Sequence, residues 1–346
     1  MVLKLDNKTL SRKTDKTNEL AIAWDFKLLD NVRNQLFIEF SSDEWSSIVE
    51  KLNNVKLEFP VLSSRNQGDP AIHKKLVLLL KEFFPELIRK FSVVPSLLES
   101  KYRFCVVKGL RFQELEQASR DFLILSISSF IGLPTMTDKV NKIVLWPVKP
   151  EEKSTVSNTT FSQRTGEAAY HTDTQYFENP ERYMSLWCIN PDKDGGGVSG
   201  LVDGRKVIEE IQRKYGEDTI KTLSDPVYPF RVPSVFTAKG GDENTEVYYG
   251  AIINLNELNK PLIRYRKETL DKGMRASGFI LNTAQERALS LLEEVLNDKK
   301  LEFAYLLREG DVMFANNHEL LHNRSHFEDM ERFLIRVRFN PKIEQS

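Results

Sequence analysis

The chain has 346 residues, of which 40% are hydrophobic and 10% are aromatic, so it can bury a sizeable core and disorder is not expected. Lysine plus arginine (49) and aspartate plus glutamate (50) nearly cancel, which disfavours nucleic acid as a partner because such proteins usually carry a basic excess. No apolar run approaches the roughly 20 residues of a membrane span, and charges recur from Lys4, where a signal peptide would be apolar. We therefore expect a cytoplasmic protein with neither a nucleic-acid nor a membrane partner.

The first hundred residues are predicted to be mainly helical. Ser41 and Ser42 precede two acidic residues and indicate a helix start, because serine side chains accept hydrogen bonds from the first N–H groups of a helix. Apolar residues then recur at helical spacing over residues 73–91, and Pro85 is expected to kink or divide that helix. We assign residues 1–100 to a helical N-terminal region packed on a core of residues 101–346. A separate N-terminal domain stays open, although no Pro/Gly/Ser-rich linker marks a boundary.

The rest of the chain is predicted to be β-rich. A strand over 102–107 ends at Gly109, and a helix over 113–130 ends at Gly132. Short runs rich in branched and aromatic residues follow, many of them separated by glycine or proline, and one strong helix interrupts them. The strand runs are 143–146, 184–189, 247–249, 311–315 and 333–339, and the helix covers 284–296. This pattern indicates a mostly β fold with flanking helices, organised as an antiparallel double-sheet barrel.

The two cysteines are predicted to be buried and reduced. Cys105 and Cys188 each lie inside an apolar run, and their positions do not form a C-x-x-C pair. Neither a thiolate zinc site nor a redox pair is therefore supported.

A metal site is predicted from the histidines. His171 and Asp173 are two positions apart, and side chains at i and i+2 of an extended strand point to the same face. Three of the five histidines cluster late in the chain, at His318, His322 and His326. Two histidines and one carboxylate form the facial triad of non-haem Fe(II) oxygenases, which leaves positions open for a co-substrate and O₂. Zinc accepts the same ligands, so a hydrolase stays open at this point.

Three late arginines share the parity of one strand. Arg332, Arg336 and Arg338 alternate with apolar residues, so all three can face the same side of the predicted strand over 333–339. An inward guanidinium can bind a carboxylate through two parallel hydrogen bonds. For Arg332 and Arg338 a solvent-facing position is an equal alternative.

Residues 166–173, 195–204 and 310–324 form three motif-like passages. Together they resemble the taurine dioxygenase / clavaminate synthase-like family of Fe(II)/2-oxoglutarate oxygenases. The first looks like the family's H-T-D or H-T-E metal motif, the second is similar to its G-G-x-[ST]…D-G segment, and the third is similar to its G-D-x-x-F-x-D-N-x-x-x-x-H-G-R passage. Asn316 and Asn323 stand where the family has aspartate and glycine, which affects local turns and not the ligands. The resemblance implies a double-stranded β-helix (jelly-roll) core.

The resemblance also implies roles for individual residues. His322 becomes the distal metal ligand, so that His171, Asp173 and His322 hold Fe(II) and form the catalytic centre. Arg336 lies 14 positions after His322, where the family places the arginine that binds the far carboxylate of 2-oxoglutarate, and Ser199 matches a hydroxyl that helps it. With O₂ as the other co-substrate, the expected reaction is hydroxylation. Asp173 disfavours halogenation, because halogenating relatives have a small residue there, while desaturation and ring formation stay open.

The predicted substrate is a small molecule, a free or modified amino acid or a similar small polar metabolite. Relatives of this kind often oxidise free or modified amino acids, and Glu167 and Arg324 flank the metal ligands along the chain, so we assign them to a substrate ammonium and carboxylate. The alternatives are a zinc-dependent hydrolase and a non-catalytic metal-binding module on the same fold. No feature of the sequence indicates an oligomeric state.

Overall fold

Alternating apolar residues build two β-sheets, which helices flank. The computed structural model describes residues 33–54, 62, 66–138, 142–151, 161–233, 246–255 and 260–342. The helices in chain order are α1 (Arg33–Leu36), α2 (Ser42–Asn54), α3 (Pro70–Phe83), α4 (Pro85–Phe91), α5 (Val94–Glu99), α6 (Gln117–Ile131), α7 (Gly204–Tyr215), α8 (Glu217–Ser224), α9 (Lys267–Ser277) and α10 (Thr283–Leu296).

The strands form two large sheets and two short ribbons. The strands in chain order are β1 (Phe37–Glu39), β2 (Phe104–Lys108), β3 (Leu133–Pro134), β4 (Trp146–Val148), β5 (Ala168–His171), β6 (Tyr183–Asn190), β7 (Ser199–Asp203), β8 (Tyr228–Arg231), β9 (Val247–Gly250), β10 (Ile253–Leu255), β11 (Pro261–Ile263), β12 (Glu302–Tyr305), β13 (Val312–Asn316), β14 (Leu320–Arg324) and β15 (Phe333–Asn340). The larger sheet has the order β1-β2-β13-β6-β15-β3, with β4 also paired to β15, and the smaller sheet has the order β12-β7-β14-β5. Strands β8 and β9, and β10 and β11, form the ribbons.

The space between the two large sheets is an apolar core that opens into a cavity. Leu201 and Leu320 from the smaller sheet pack in one cluster with Met184, Met313 and Leu334 from the larger sheet. The cavity is lined by residues of both sheets, including those of β5, β6, β7, β14 and β15. Side chains that point inward from these strands are therefore the ones available for chemistry.

Strand β15 shows how the alternation divides its residues between the two faces. Ile335, Val337 and Phe339 pack in the outer core against helices α2 to α6. Leu334 and Arg336 point the other way and line the cavity. The prediction that the apolar and arginine positions of this strand face opposite sides is confirmed.

Helices cover the outer face of each sheet. Helices α2 to α6 share one hydrophobic cluster with the larger sheet. Helices α7 to α10 share another with residues of β5, β7 and β14 in the smaller sheet. The predicted fold class, β-sheet with flanking helices, is thereby confirmed. No helix within the described ranges is long and apolar enough to cross a membrane.

Several local predictions can be compared with the N-terminal region. The helix predicted to start near Ser42 does so, and Ser41 and Glu44 exchange side-chain to backbone hydrogen bonds of 2.9 and 3.1 Å that cap it. Pro85 divides the next helix as predicted, because α3 ends at Phe83 and α4 begins at Pro85. The mainly helical prediction missed β1, which pairs in parallel with β2 at the edge of the larger sheet. Both cysteines are free and buried, as predicted.

Candidate metal centre

The three predicted metal ligands lie close together beside strands β5 and β14 of the smaller sheet. His171 is the last residue of β5, and His322 lies opposite it on the neighbouring strand β14. Their ring centroids are 4.2 Å apart, as expected for cross-strand neighbours. With Asp173 they offer one nitrogen or oxygen atom each, all within 4.8 Å of one another. These two histidines and one carboxylate match the facial set that binds Fe(II) and leaves positions open.

Asp173 reaches this group from a turn and not from a strand. The prediction placed His171 and Asp173 in one extended strand, but β5 ends at His171. One carboxylate oxygen of Asp173, Oδ1, accepts a hydrogen bond of 2.9 Å from Arg336. The other, Oδ2, is buried and has no hydrogen-bond partner among the residues that the structure describes. A buried carboxylate oxygen without a donor is costly, and a metal ion at the triad would satisfy it.

Burial sets the protonation of the ligands in favour of a metal. Burial lowers the pKa of His171 well below its ordinary value and lowers that of His322 to about 4, so both rings are neutral near pH 7. Burial alone would raise the pKa of Asp173, but the guanidiniums of Arg336 and Arg338 outweigh it and the pKa is lowered. Neutral imidazoles and an ionised carboxylate are the forms that ligate metals.

One hydrogen bond fixes which nitrogen of His171 is available. Its Nδ1 lies 2.8 Å from the carbonyl oxygen of Ala169. Because a carbonyl only accepts, Nδ1 carries the proton and Nε2 keeps its lone pair. This is the usual arrangement around a ligating histidine, in which the second nitrogen is held by a backbone carbonyl or a carboxylate.

The cavity beside the triad contains three arginines at different distances from the ligands. Arg336 lies at the metal end, bonded to Asp173. Arg324 and Arg332 line the other end together with Ser199, which lies opposite Arg324 in the strand register. The guanidiniums of Arg324 and Arg332 lie 4.6 and 4.7 Å from the centre of the same phenyl ring, that of Phe327, which restricts both.

Arg332 is the cation with the poorest pairing at the far end of the cavity. Its side chain is only 3% exposed, and burial lowers its pKa. Its Nη2 makes one long bond of 3.4 Å to the carbonyl of Gly197, while its Nη1 has no hydrogen-bond partner in the described part of the chain. A buried charge in this state is unfavourable unless an anion binds to it. The sequence left open whether Arg332 faces the cavity or solvent. Its spacing of four positions from Arg336 could have indicated the cavity, because such residues lie on the same side of an extended chain.

The remaining candidates lie in different surroundings. Arg324 donates to the carbonyls of Arg164 and Gly166 at 3.0 and 3.1 Å, so part of its guanidinium holds the chain that leads into β5. Glu167 is exposed and is not among the residues that line the cavity. His318 contacts the carbonyl of Pro180, and His326 is exposed beside Glu328, so neither joins the triad.

Comparisons with known proteins agree with this geometry. The family model for taurine catabolism dioxygenase TauD, TfdA family, matches residues 90–338. Trimethyllysine dioxygenase of Bos taurus is 27% identical over 45% of this chain and 36% of its own length, and gamma-butyrobetaine dioxygenase of Homo sapiens is 25% identical over 53% and 45%. The chain thus spans less than half of these curated relatives. A solved asparagine oxygenase has the same fold, with a TM-score of 0.69 at 14% identity over 88% of this chain and 93% of the other. Because the matched model covers well over half of the residues, the chain belongs to the TauD/TfdA dioxygenase family.

Proposed function

We propose that this chain is an Fe(II)- and 2-oxoglutarate-dependent oxygenase that hydroxylates a free or modified amino acid or a similar small polar metabolite. The observation that carries the proposal is the convergence of His171, Asp173 and His322 at one end of a cavity whose other end is lined by buried arginines. An open-sided metal site needs a co-substrate that chelates the metal, and a dianionic keto acid suits a cavity with cations along its length.

The residues of the chain supply binding and orientation. His171, Asp173 and His322 would hold the metal, and the cavity keeps the reacting groups away from bulk water. Bound Fe(II), with 2-oxoglutarate and O₂, supplies the oxidising chemistry, and the co-substrate leaves as succinate and CO₂. Arg336 holds Oδ1 of Asp173, while Oδ2 has no hydrogen-bond partner among the described residues and would be available to ligate the metal.

The geometry of the cavity changes which residues we assign to the far carboxylate of 2-oxoglutarate. The sequence prediction assigned it to Arg336 and Ser199. Arg336 donates to the metal ligand Asp173 through Nη1, whereas Arg332 forms only one long hydrogen bond, to the carbonyl of Gly197, and lines the cavity together with Ser199. We therefore assign the carboxylate to Arg332 with Ser199, and place Arg336 at the metal end of the co-substrate. The strand register puts Ser199 two residues beyond the level of His322, a distance of about 7 Å.

The substrate class rests on relatives and on the cavity. The curated relatives are named for trimethyllysine and gamma-butyrobetaine, and the solved neighbour is named for asparagine. All three are small amino-acid-like molecules. Arg324 lines the cavity and stays a candidate for a substrate carboxylate. Glu167, the residue assigned to a substrate ammonium from the sequence, is exposed and is not among the described residues that line the cavity, which disfavours that role.

The alternatives differ from this proposal in their use of a keto acid. A zinc hydrolase would need the triad but no buried arginine pair, and a non-catalytic module would need neither. The buried cations favour the oxygenase. Four further statements stay predictions: the double-stranded β-helix description of the core, the division at residue 100, the cytoplasmic location, and the absence of nucleic-acid and membrane partners. Desaturation and ring formation stay open as alternatives to hydroxylation.

An anaerobic titration with Fe(II) and 2-oxoglutarate tests the proposal. We expect a weak visible charge-transfer band that is lost in His171→Ala and kept in the control His326→Ala, whose exposed ring lies outside the triad. A screen of amino acids for succinate release then identifies the substrate. A wild-type protein that gives no band, or a band that survives in His171→Ala, contradicts the proposal, and hydrolysis independent of 2-oxoglutarate would support the zinc alternative.

A further inference from the structure

We propose that Asn317 is a positioning residue that holds the backbone of Asp173 in the one conformation that directs its carboxylate at the metal. The inference rests on the proposed function, because it concerns how the metal ligand of that site is held. It assigns a role to a side chain that does not touch the metal position.

The side-chain amide of Asn317 brackets the peptide groups of Asp173 on both sides. Its Oδ1 accepts a hydrogen bond of 2.6 Å from the N–H of Asp173. Its Nδ2 donates to the carbonyl of Asp173 at 3.1 Å and to that of Glu181 at 2.9 Å. An asparagine has two amide donors, and here both are used on the chain around the ligand. The side chain is 2% exposed, so water does not compete for these bonds.

The backbone next to Asp173 needs such support. Thr174 has a φ of +54°, a left-handed conformation that a β-branched residue rarely adopts and that costs on its own. The hydroxyl of Thr174 donates to Glu181 at 2.6 Å, and the other oxygen of Glu181 accepts from Thr135 at 2.9 Å. The turn that carries the carboxylate ligand is therefore strained and is held in place by Asn317 on one side and Glu181 on the other.

The position of Asn317 in the chain links the contact with Asp173 to the strand that carries His322. Asn317 lies in the turn between β13 and β14, and β14 carries His322. The same turn thus fixes the distal histidine through the strand and the carboxylate through its amide. Ligands held in advance bind a metal more tightly, and loss of such outer contacts typically lowers metal affinity 10- to 100-fold.

The neighbouring Asn316 offers a matched control. It is fully buried, its amide donates to the carbonyl of Leu98 at 3.2 Å, and its Oδ1 accepts from the N–H of His318 at 3.1 Å. Asn316→Ala, at the last residue of β13, and Asn317→Ala, at the first residue of the turn, each remove a buried amide, but of the two side chains only that of Asn317 bonds Asp173. We would measure Fe(II) affinity by anaerobic calorimetry, at a temperature where circular dichroism shows each variant folded.

The expected result is an Fe(II) affinity at least tenfold lower in Asn317→Ala and within threefold of wild type in Asn316→Ala. If Asn317→Ala does not fold, Asn317→Ser, which is uncharged and too short to span both peptide groups, is expected to show the same loss. The inference is overturned if Asn317 variants keep the wild-type affinity or if Asn316→Ala loses as much. Failure of the proposed function has a different signature: wild type and His171→Ala would then bind Fe(II) alike.

Discussion

Replacing Arg332 by methionine should weaken 2-oxoglutarate binding severely without destabilising the fold. The side chain is 3% exposed, and its Nη1 has no hydrogen-bond partner among the described residues, so the protein gains little from this charge before a ligand binds. Methionine fills a similar volume without burying a charge. Because the buried charge has a cost and forms no salt bridge with any of the described residues, its removal is expected to leave the melting temperature unchanged or raise it.

The size of the effect follows from the burial of the contact. Truncating one partner of a buried, hydrogen-bonded charge pair costs about 2–5 kcal/mol. At about 1.4 kcal/mol for each tenfold change, the dissociation constant of 2-oxoglutarate should rise by about 30-fold to about 3,000-fold. Arg324 lies beside Arg332 and can take over part of the contact, so the lower half of this range is expected.

Two other arginines serve as controls for this prediction. Arg103 is equally buried but bonds Glu319 at 2.7 Å and Asp203 at 3.1 Å, so Arg103→Met should destabilise the fold by about 3–5 kcal/mol. Arg336→Met should act first on Fe(II) affinity, because Arg336 holds Asp173. The assay is the visible band of the Fe(II) complex titrated with 2-oxoglutarate, together with thermal unfolding. The reasoning is refuted if Arg332→Met binds 2-oxoglutarate within threefold of wild type while Arg336→Met loses it with Fe(II) affinity intact.

Three further predictions concern stability, thiol reactivity and the substrate. Gly310→Ala should destabilise the fold by more than about 3 kcal/mol or prevent folding, because φ is +79° and a Cβ there would lie 1.5 Å from the carbonyl oxygen of Leu110. Gly216→Ala is the control and should cost about 1 kcal/mol, because its φ is +86° but a Cβ there meets no atom within 4 Å. Denaturant unfolding measures both losses, and equal losses would contradict the steric argument. Cys188, whose pKa burial raises to about 12, should react with a thiol reagent at pH 8 only after unfolding, and fast labelling of the native protein would contradict this. Glu167→Gln should change kcat/KM for the identified substrate less than twofold, since the side chain is exposed and does not line the cavity; a large loss would restore it as a substrate contact.

Periodicity in the sequence predicted the elements that lie in regular, deeply buried surroundings. The alternation around Arg336 predicted a strand with two distinct faces, and Pro85 predicted the division between α3 and α4, because each depends on local chemistry that tertiary contacts do not override. The spacing of His171 and Asp173 and the scarcity of histidines predicted a metal site, and the resemblance to the oxygenase family selected His322 over His318 and His326 as its third ligand. The three ligands converge because β5 and β14 are neighbours in register.

The parts that sequence reasoning missed depend on contacts between distant segments. Nothing local in the chain shows that Asp173 lies in a turn, because that turn is held by Asn317, 144 positions away. In the same way, β1 is only three residues long: Phe37 and Ile38 favour a strand, but so short a run becomes one only because it pairs with β2. Such features depend on the assembled sheets more than on local propensity.

The register of one strand determines whether the proposed co-substrate site can exist. Arg332 directly precedes β15 and Arg336 lies within it, four positions later. In an extended chain this spacing puts both side chains on the same side, about 13 Å apart along the chain, and both line the cavity. The pairing of β15 with β6 shifts between Phe333 and Leu334, where Leu334 pairs with Cys188 and Phe333 with Asn190, so the extra residue is accommodated in β6. The alternation of β15 is therefore undisturbed. Had the extra residue been in β15 instead, Arg332 would point into the outer core, and the far end of the cavity would lose its buried charge.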